Sequence, residues 1–374
     1  MENRKKYGMI VIIIIALICI GIMLMKNEKP NNITSSNHIT PEENKNELEK
    51  VNVSGFHLVT YEQSANNNSF INTLNVDSVS DGNIKFVIGT IDENFVVQER
   101  MSFEIACKKG ENTIDLRNQR YFIKTGEYLF MDIYGQDVLY TQEGETAKSL
   151  VQNEANKVAG KMIMVKSDFI LPFQYTLEKT QEYNVLVIGN DITTKDGGKG
   201  IAATDETKDY YTLTKARLEK NFQKVNINRI NALDWEQNKL LTTRKDWITQ
   251  NLKKDTISNL DLIIFQLGDN YYQEDDFETS VTELVEEIRN SSPNAEMVWI
   301  GVWEINEKIL NRLPGICERL EIEFINISDL AITDYQSLVT TNTDSTNLAQ
   351  VFYPNNEAMQ IISNRIIETL KFEF

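Results

Sequence analysis

From Tyr183 to the C-terminus, short apolar runs alternate with amphipathic ones, and this alternation restricts the fold more than any other feature of the chain. Val185–Ile188, Val225–Ile230, Leu262–Leu267, Met297–Val302 and Ile322–Ile327 read as five strands. Between and after them, the spacing predicts helices over Thr207–Phe222, Phe277–Arg289 and Asn356–Leu370. Val281, Leu284, Val285 and Ile288 mark one face of the second helix, and Ala358, Ile361, Ile362 and Ile366 one face of the third. Strands alternating with helices predict an α/β domain over 180–374, a flavodoxin-like, doubly wound parallel sheet in three layers. In such sheets ligands sit beyond the C-terminal ends of the strands, so functional residues are sought there.

The preceding stretch has a different period. Residues 51–175 carry candidate strands at Ile84–Ile91, Met101–Cys107, Asn112–Leu116, Tyr128–Tyr134 and Lys161–Val165. Asp81-Gly82, Lys109-Gly110, Thr125-Gly126 and Tyr134-Gly135 are turn signals between them. This spacing predicts an all-β sandwich or jelly roll. Residues 26–50 are rich in Asn, Glu, Lys, Ser and Thr and read as a flexible stalk.

At the N-terminus, Arg4, Lys5 and Lys6 precede an uncharged run from Gly8 to Met25. As a helix it would span about 27 Å, close to the hydrocarbon core of a bilayer. The basic flank stays cytoplasmic, which places the rest of the chain outside a cell membrane crossed once by residues 1–25. The rival is a cleaved signal peptide, but no suitably small residues mark a cut. Ile18 before Cys19 is too bulky for a lipoprotein signal.

Charge narrows the partners. Of 38 Lys+Arg and 55 Asp+Glu, residues 1–25 hold three and one, so the remainder has a net charge of −19. That field repels phosphate backbones and argues against nucleic acid as a partner, while a glycan is compatible with it. Three cysteines, spread over the anchor and the two predicted domains, give no disulfide framework. Cys107 sits in an apolar strand run and reads as a buried free thiol. With only two histidines, His38 and His57, and no CxxC, a histidine-rich metal site is excluded and no cofactor is expected.

Four blocks fall at or beyond strand ends. They are Val187-Ile188-Gly189-Asn190-Asp191-Ile192-Thr193; Gly200-Ile201-Ala202-Ala203-Thr204 with Asp209-Tyr210; Leu267-Gly268-Asp269-Asn270; and Tyr353-Pro354-Asn355-Asn356. In this order, over about residues 183–374, they resemble the blocks of SGNH (GDSL-type) hydrolases. The stretch from Gly110 to Leu116 with Gly126-Glu127-Tyr128 is similar, more faintly, to jelly-roll modules that accompany carbohydrate-active enzymes. The resemblance implies acyl-ester chemistry on a carbohydrate, with a serine after the first strand, a histidine before the last helix, and oxyanion donors from the second and third blocks. Carried onto this chain, Gly200 and Asn270 match the donors. Asp191 occupies the serine position, Tyr353 the histidine position, and Gln350 that of the aspartate which would orient the histidine. Asn190, Gly268 and Trp303 complete the expected cleft.

Several roles are open to these residues. Asp191 can cap the segment that follows, bind a ligand hydroxyl or cation, or act as an acyl nucleophile. Tyr353 can orient a ligand or pack under the last helix, and its ordinary pKa near 10 makes it a poor base at neutral pH. Asn270 can bind a ligand oxygen or close a turn. Trp303 can stack on a sugar or pack. Asp269, Glu274, Asp275 and Asp276 lack an EF-hand pattern and read as a solvated loop. His57 would have to cross between domains to act as a base. The expectation is a membrane-anchored, extracytoplasmic SGNH-like domain, catalytically degenerate, that binds or scaffolds a cell-surface glycan. The alternatives are an active carbohydrate O-acetylesterase or acyltransferase with unusual catalytic groups, and a surface structural protein.

Overall fold

The computed structural model describes residues 48–51, 56–133, 139–142, 149–167, 169–179, 182–195, 198–201, 203–271, 274–303, 307–332, 339–341 and 352–372. The expected anchor and stalk, up to residue 47, lie outside them, as do Ala202 and Gln350. Among the described residues no helix is long and apolar enough to cross a membrane.

The β half contains the strands Phe56–Tyr61 (β1), Ser69–Ser78 (β2), Gly82–Ile91 (β3), Val97–Cys107 (β4), Gly110–Asp115 (β5), Tyr128–Asp132 (β6), Ser149–Val158 (β7), Lys161–Ser167 (β8) and Phe173–Lys179 (β9). One antiparallel sheet runs β8-β7-β1-β6-β3-β4 and a second runs β9-β2-β5. Alternate residues of both sheets, among them Val59, Phe86, Ile88, Leu129 and Met131 against Ile71, Leu74 and Phe173, interlock as one buried core. This is a sandwich. Cys107 is a buried free thiol within that core. The sequence pattern missed β1, β2, β7 and β9. In β2 and β7 the solvent-facing positions include Asn, Thr, Asp, Glu and Lys, and polar residues reach even buried positions such as Thr60, Ser69 and Gln152, which blurs the alternation.

The α/β half contains Glu182–Gly189 (β10), Tyr210–Asn221 (α1), Lys224–Asn231 (β11), Leu233–Gln237 (α2), Leu241–Asn251 (α3), Leu262–Gln266 (β12), Phe277–Ser291 (α4), Glu296–Ile300 (β13), Glu307–Arg319 (α5), Glu323–Ile325 (β14) and Asn356–Leu370 (α6). Its five strands pair in parallel in the order β11-β10-β12-β13-β14, as expected for a doubly wound sheet. The three central strands, β10, β12 and β13, are buried on both faces. Val185, Val187, Leu262, Ile264, Val298 and Ile300 face α1 and α6. Leu186, Ile188, Ile263, Phe265, Met297 and Trp299 face α3, α4 and α5. Three layers result. α2, α3 and α5 went unrecognised in the sequence: α2 is one short turn, α3 is weakly amphipathic and α5 carries Pro314.

Residues Glu49–Phe374 form one compact unit, so the two halves share a boundary. Phe122 of the sandwich packs with Tyr183, Phe222 and Phe372 at ring separations of 5.6, 6.0 and 6.2 Å. Around these rings sit ion pairs. Arg120 donates two hydrogen bonds to the Asp261 carboxylate at 2.7 and 2.8 Å, and Lys124 lies 2.7 Å from Glu296 and 2.8 Å from the Leu370 carbonyl. Asp261 precedes β12, Glu296 opens β13 and Leu370 ends α6. These contacts lie at the N-terminal ends of the parallel strands, opposite the ends where a ligand site is expected.

Burial pushes the Asp261 carboxyl pKa up, and Arg120 opposes the shift. Arg120→Ala would leave a buried carboxylate uncompensated and is expected to cost about 3 kcal/mol in chemical denaturation. Arg117→Ala breaks only the exposed pair with Asp115, and its denaturation midpoint should match that of the unaltered chain.

Candidate functional site

The C-terminal ends of four parallel strands converge on two buried carboxyl groups, Glu236 and Asp269. β10 ends in Gly189, where a Cβ would fall 1.8 Å from Thr193 Oγ1, so only glycine fits. Asn190 follows and is buried. Its Nδ2 donates to Asp269 Oδ2 at 3.0 Å and to Glu236 Oε2 at 3.3 Å. Its Oδ1 accepts from the Ile192 N–H at 3.0 Å and closes the loop.

Glu236 arrives from α2, just past β11. It accepts from the Gly268 N–H and, at 2.9 Å, from Asn270 Nδ2. Asp269, after β12, accepts from Gln266 Nε2 at 2.6 Å and from the Trp303 N–H, beyond β13, at 2.5 Å. The hub therefore fastens the loops after β10, β11, β12 and β13 to one another. Burial, then the nearby Asp269 carboxylate, push the Glu236 pKa up to about 8, against the pull of its three donors. Burial and the neighbouring acid thus favour the protonated form of Glu236.

The residues singled out in the sequence divide between this hub and its margins. Asn190, Gly268 and Asn270 belong to it. An amide nitrogen carries two N–H groups, and Asn270 spends one of them on Glu236. Gly268 has φ +127°, and a Cβ there would lie 2.7 Å from Val302, so its backbone demands glycine. Asp191 is half-buried beside the hub. Its Oδ1 accepts from Asn231 Nδ2 at 3.2 Å, and the side chain that caps its turn is that of Asn190.

The Gly200 N–H points to Asp209 Oδ2 at 3.4 Å. Asp209 is fully buried, pairs with Arg229 at 2.7 Å and caps α1 through the Thr212 N–H at 2.8 Å. A Cβ on Gly200 would meet the Ile192 carbonyl oxygen at 2.1 Å, so glycine is required there by the packing of two loops. Tyr353 lies in the short strand Phe352–Pro354 and packs against the core beneath α1 and α6. Trp303 is 3% exposed and sits in the same core, so its ring packs. His57 lies in the sandwich with its ring 3.0 Å from Asp132.

The acidic loop after β12 differs from the solvated one expected. Asp269 turns inward to the hub, and Asp276 accepts from the Tyr271 hydroxyl at 2.7 Å and from the buried Arg244. Among the described residues, no three His, Cys, Asp or Glu side chains converge as metal ligands. Glu236 was not singled out in the sequence. The available signal was an acid directly after Trp235 in the loop beyond β11, but α2 is too short to show a period.

No protein-family model matches the chain, and no curated protein matches it. Several solved structures are similar to it. A family two carbohydrate esterase from Clostridium thermocellum, in complex with cellohexaose, has 13% identity and a TM-score of 0.35 over 87% of this chain and 98% of that one. The acetyl xylan esterase Est2A from the rumen bacterium Butyrivibrio proteoclasticus has 13% identity and a TM-score of 0.33 over 88% and 96%. The salicylyl-acyltransferase SsfX3 of a tetracycline biosynthetic pathway has 11% identity and a TM-score of 0.36 over 84% and 80%. Two are esterases and one is an acyltransferase. None reaches half in TM-score, so the role of each residue rests on this chain's own geometry.

Because the folded pKa of Glu236 is raised, its contribution to stability is complete below the ordinary value of 4.5 and is lost as pH rises towards about 8. The melting temperature should fall over that window. Glu236→Gln, which cannot ionise, should flatten this segment of the curve. An unchanged slope in the variant would show that another group titrates.

Proposed function

We propose that the α/β half is an SGNH hydrolase-like domain that has lost ester hydrolysis and binds or scaffolds a cell-surface glycan, held outside the membrane by residues 1–25. One observation carries this reading: the position of the nucleophile holds Asp191, and no histidine occurs anywhere between residues 183 and 374. Serine-type acyl transfer needs a base beside its nucleophile. His57 is engaged with Asp132 in the sandwich, and Tyr353 is a phenol packed on the core. The glycan class comes from the resemblance of the four blocks. The net charge of −19 outside residues 1–25 favours a neutral ligand over a polyanion. Asp191, half-buried at a strand end, is suited to accept hydrogen bonds from sugar hydroxyls.

A second reading keeps the chemistry. The Asp191 carboxylate attacks an ester carbonyl while Asn270 offers its second N–H to the oxyanion, and the expelled sugar alkoxide takes a proton from water; the hydroxide so formed cleaves the acyl anhydride, releasing the acid and restoring the Asp191 carboxylate. Its support is the partial exposure of both residues.

The full chain, purified in mild detergent, should release no acetate from aryl acetates or acetylated oligosaccharides above the buffer rate. Asp191→Ala should weaken glycan binding about tenfold, the value of one charge-assisted hydrogen bond. Turnover that disappears in Asp191→Ala would establish the second reading instead. Neither turnover nor binding would leave a structural surface protein.

A further inference from the structure

The sandwich carries a groove unrelated to the strand-end site. It lies on the face of the six-stranded sheet that points away from the sandwich core. There Leu58, Val87, Phe130 and Met164 form a small separate apolar cluster, with Val97 packed against it. The hairpin joining β3 to β4 folds over one edge. Asp92 shapes it by accepting from the N–H groups of Asn94 and Val96, both at 2.9 Å, and from Gln98 Nε2 at 2.9 Å. The Phe95 carbonyl accepts from the Met164 N–H at 2.8 Å, which ties this hairpin to β8 at the opposite edge of the sheet. The sheet curls, and a groove of about 500 Å³ remains, lined by Gln98, Gln152, Glu154, Lys157, Lys161 and Met162 among others.

Phe95 stands at its rim, next to the lining residue Val96. Its φ is +62°, a conformation at which hairpins ordinarily place Gly or Asn. The residue is 60% exposed. A large aromatic here is unfavourable both to the backbone and to solvation. Gln98 and Gln152 each spend one N–H internally, on Asp92 and on the Met162 carbonyl. Each amide has a second N–H and a carbonyl oxygen with capacity for another donor.

A flat exposed ring beside paired donors and acceptors matches the chemistry of a sugar, whose hydroxyls donate and accept and whose ring presents a C–H face. Glu154 and Asp92, which lies close enough to Lys161 to feel its charge, balance Lys157 and Lys161, so the groove has no net positive charge to hold a phosphate. Around the groove the large exposed apolar side chains are Phe95 and Val158, a small area for a protein partner. The volume is within the range of small-ligand sites. We propose that this groove is a second binding site, for a neutral oligosaccharide stacked on Phe95 and hydrogen-bonded by Gln98 and Gln152.

The test compares the full chain in mild detergent with Phe95→Asn, Gln152→Ala and Asp191→Ala on an array of neutral plant and bacterial oligosaccharides, with melting temperatures in parallel. Asn suits the left-handed backbone, so Phe95→Asn should melt no lower than the unaltered chain. It should nonetheless bind about tenfold more weakly a set of oligosaccharides that Asp191→Ala still binds at full strength, which are those held at this groove and not at the strand-end site. If Phe95→Asn does melt lower, Gln152→Ala, outside the hairpin, decides: weakened binding supports the site and unchanged binding overturns it. Absence of binding to every oligosaccharide overturns the proposal, as does equal binding by Phe95→Asn without a lower melting temperature. Loss in Asp191→Ala alone also overturns it, while leaving the glycan reading of the strand-end site intact.

Discussion

The hydrogen bonds around Glu236 and Asp269 hold the candidate site in shape. Strand-end loops are irregular, and each needs partners for its backbone and side-chain polar groups. Here one amide, Asn190, bridges both carboxyl groups, while the Gly268 and Trp303 N–H groups are satisfied by one acid each. Two buried acids so near each other cannot both ionise cheaply. Burial first, and then this proximity, raises the pKa of Glu236, and the two acids can share one buried hub. Partly satisfied, such a network would cost more than an apolar filling. Its many donors explain why it is tolerated.

Rigidity at the strand ends also sets what the site can do. Gly200, expected to offer an amide, aims it at Asp209, which is itself committed to Arg229 and to the cap of α1. Asn270 has one N–H drawn inward by Glu236. The side chains at the nucleophile and base positions, Asp191 and Tyr353, are engaged by Asn231 and by the core respectively. The loops are arranged to keep their form, and a ligand would meet a nearly prebuilt surface.

The sandwich is attached at the other end of the sheet. Arg120 and Lys124 pair with acids that open β12 and β13, and Phe122 enters the ring cluster around Tyr183. This union serves the stability of the whole unit and leaves the C-terminal strand ends to the loops of the α/β half. It also explains why His57, within the sandwich, has its partner in Asp132 and not in the strand-end loops.

The apolar runs at Val185–Ile188 and Leu262–Leu267 and the face of Phe277–Arg289 were sufficient to predict the parallel sheet and its layers, because a buried element must carry its period in its own residues. Gly189, Gly200 and Gly268 were visible in the blocks, although their reason, the crowding by Thr193, Ile192 and Val302, was not. The lack of any histidine from 183 onward is also a property of the sequence, and it restricts the chemistry before any fold is known. Tertiary structure decided the rest. The meeting of Asn190, Glu236 and Asp269 depends on strand order, which brings together residues up to 79 positions apart, and no local period encodes that. The same holds for the burial of Trp303 and for the groove beside Phe95, since a side chain's exposure is fixed by what distant segments place against it.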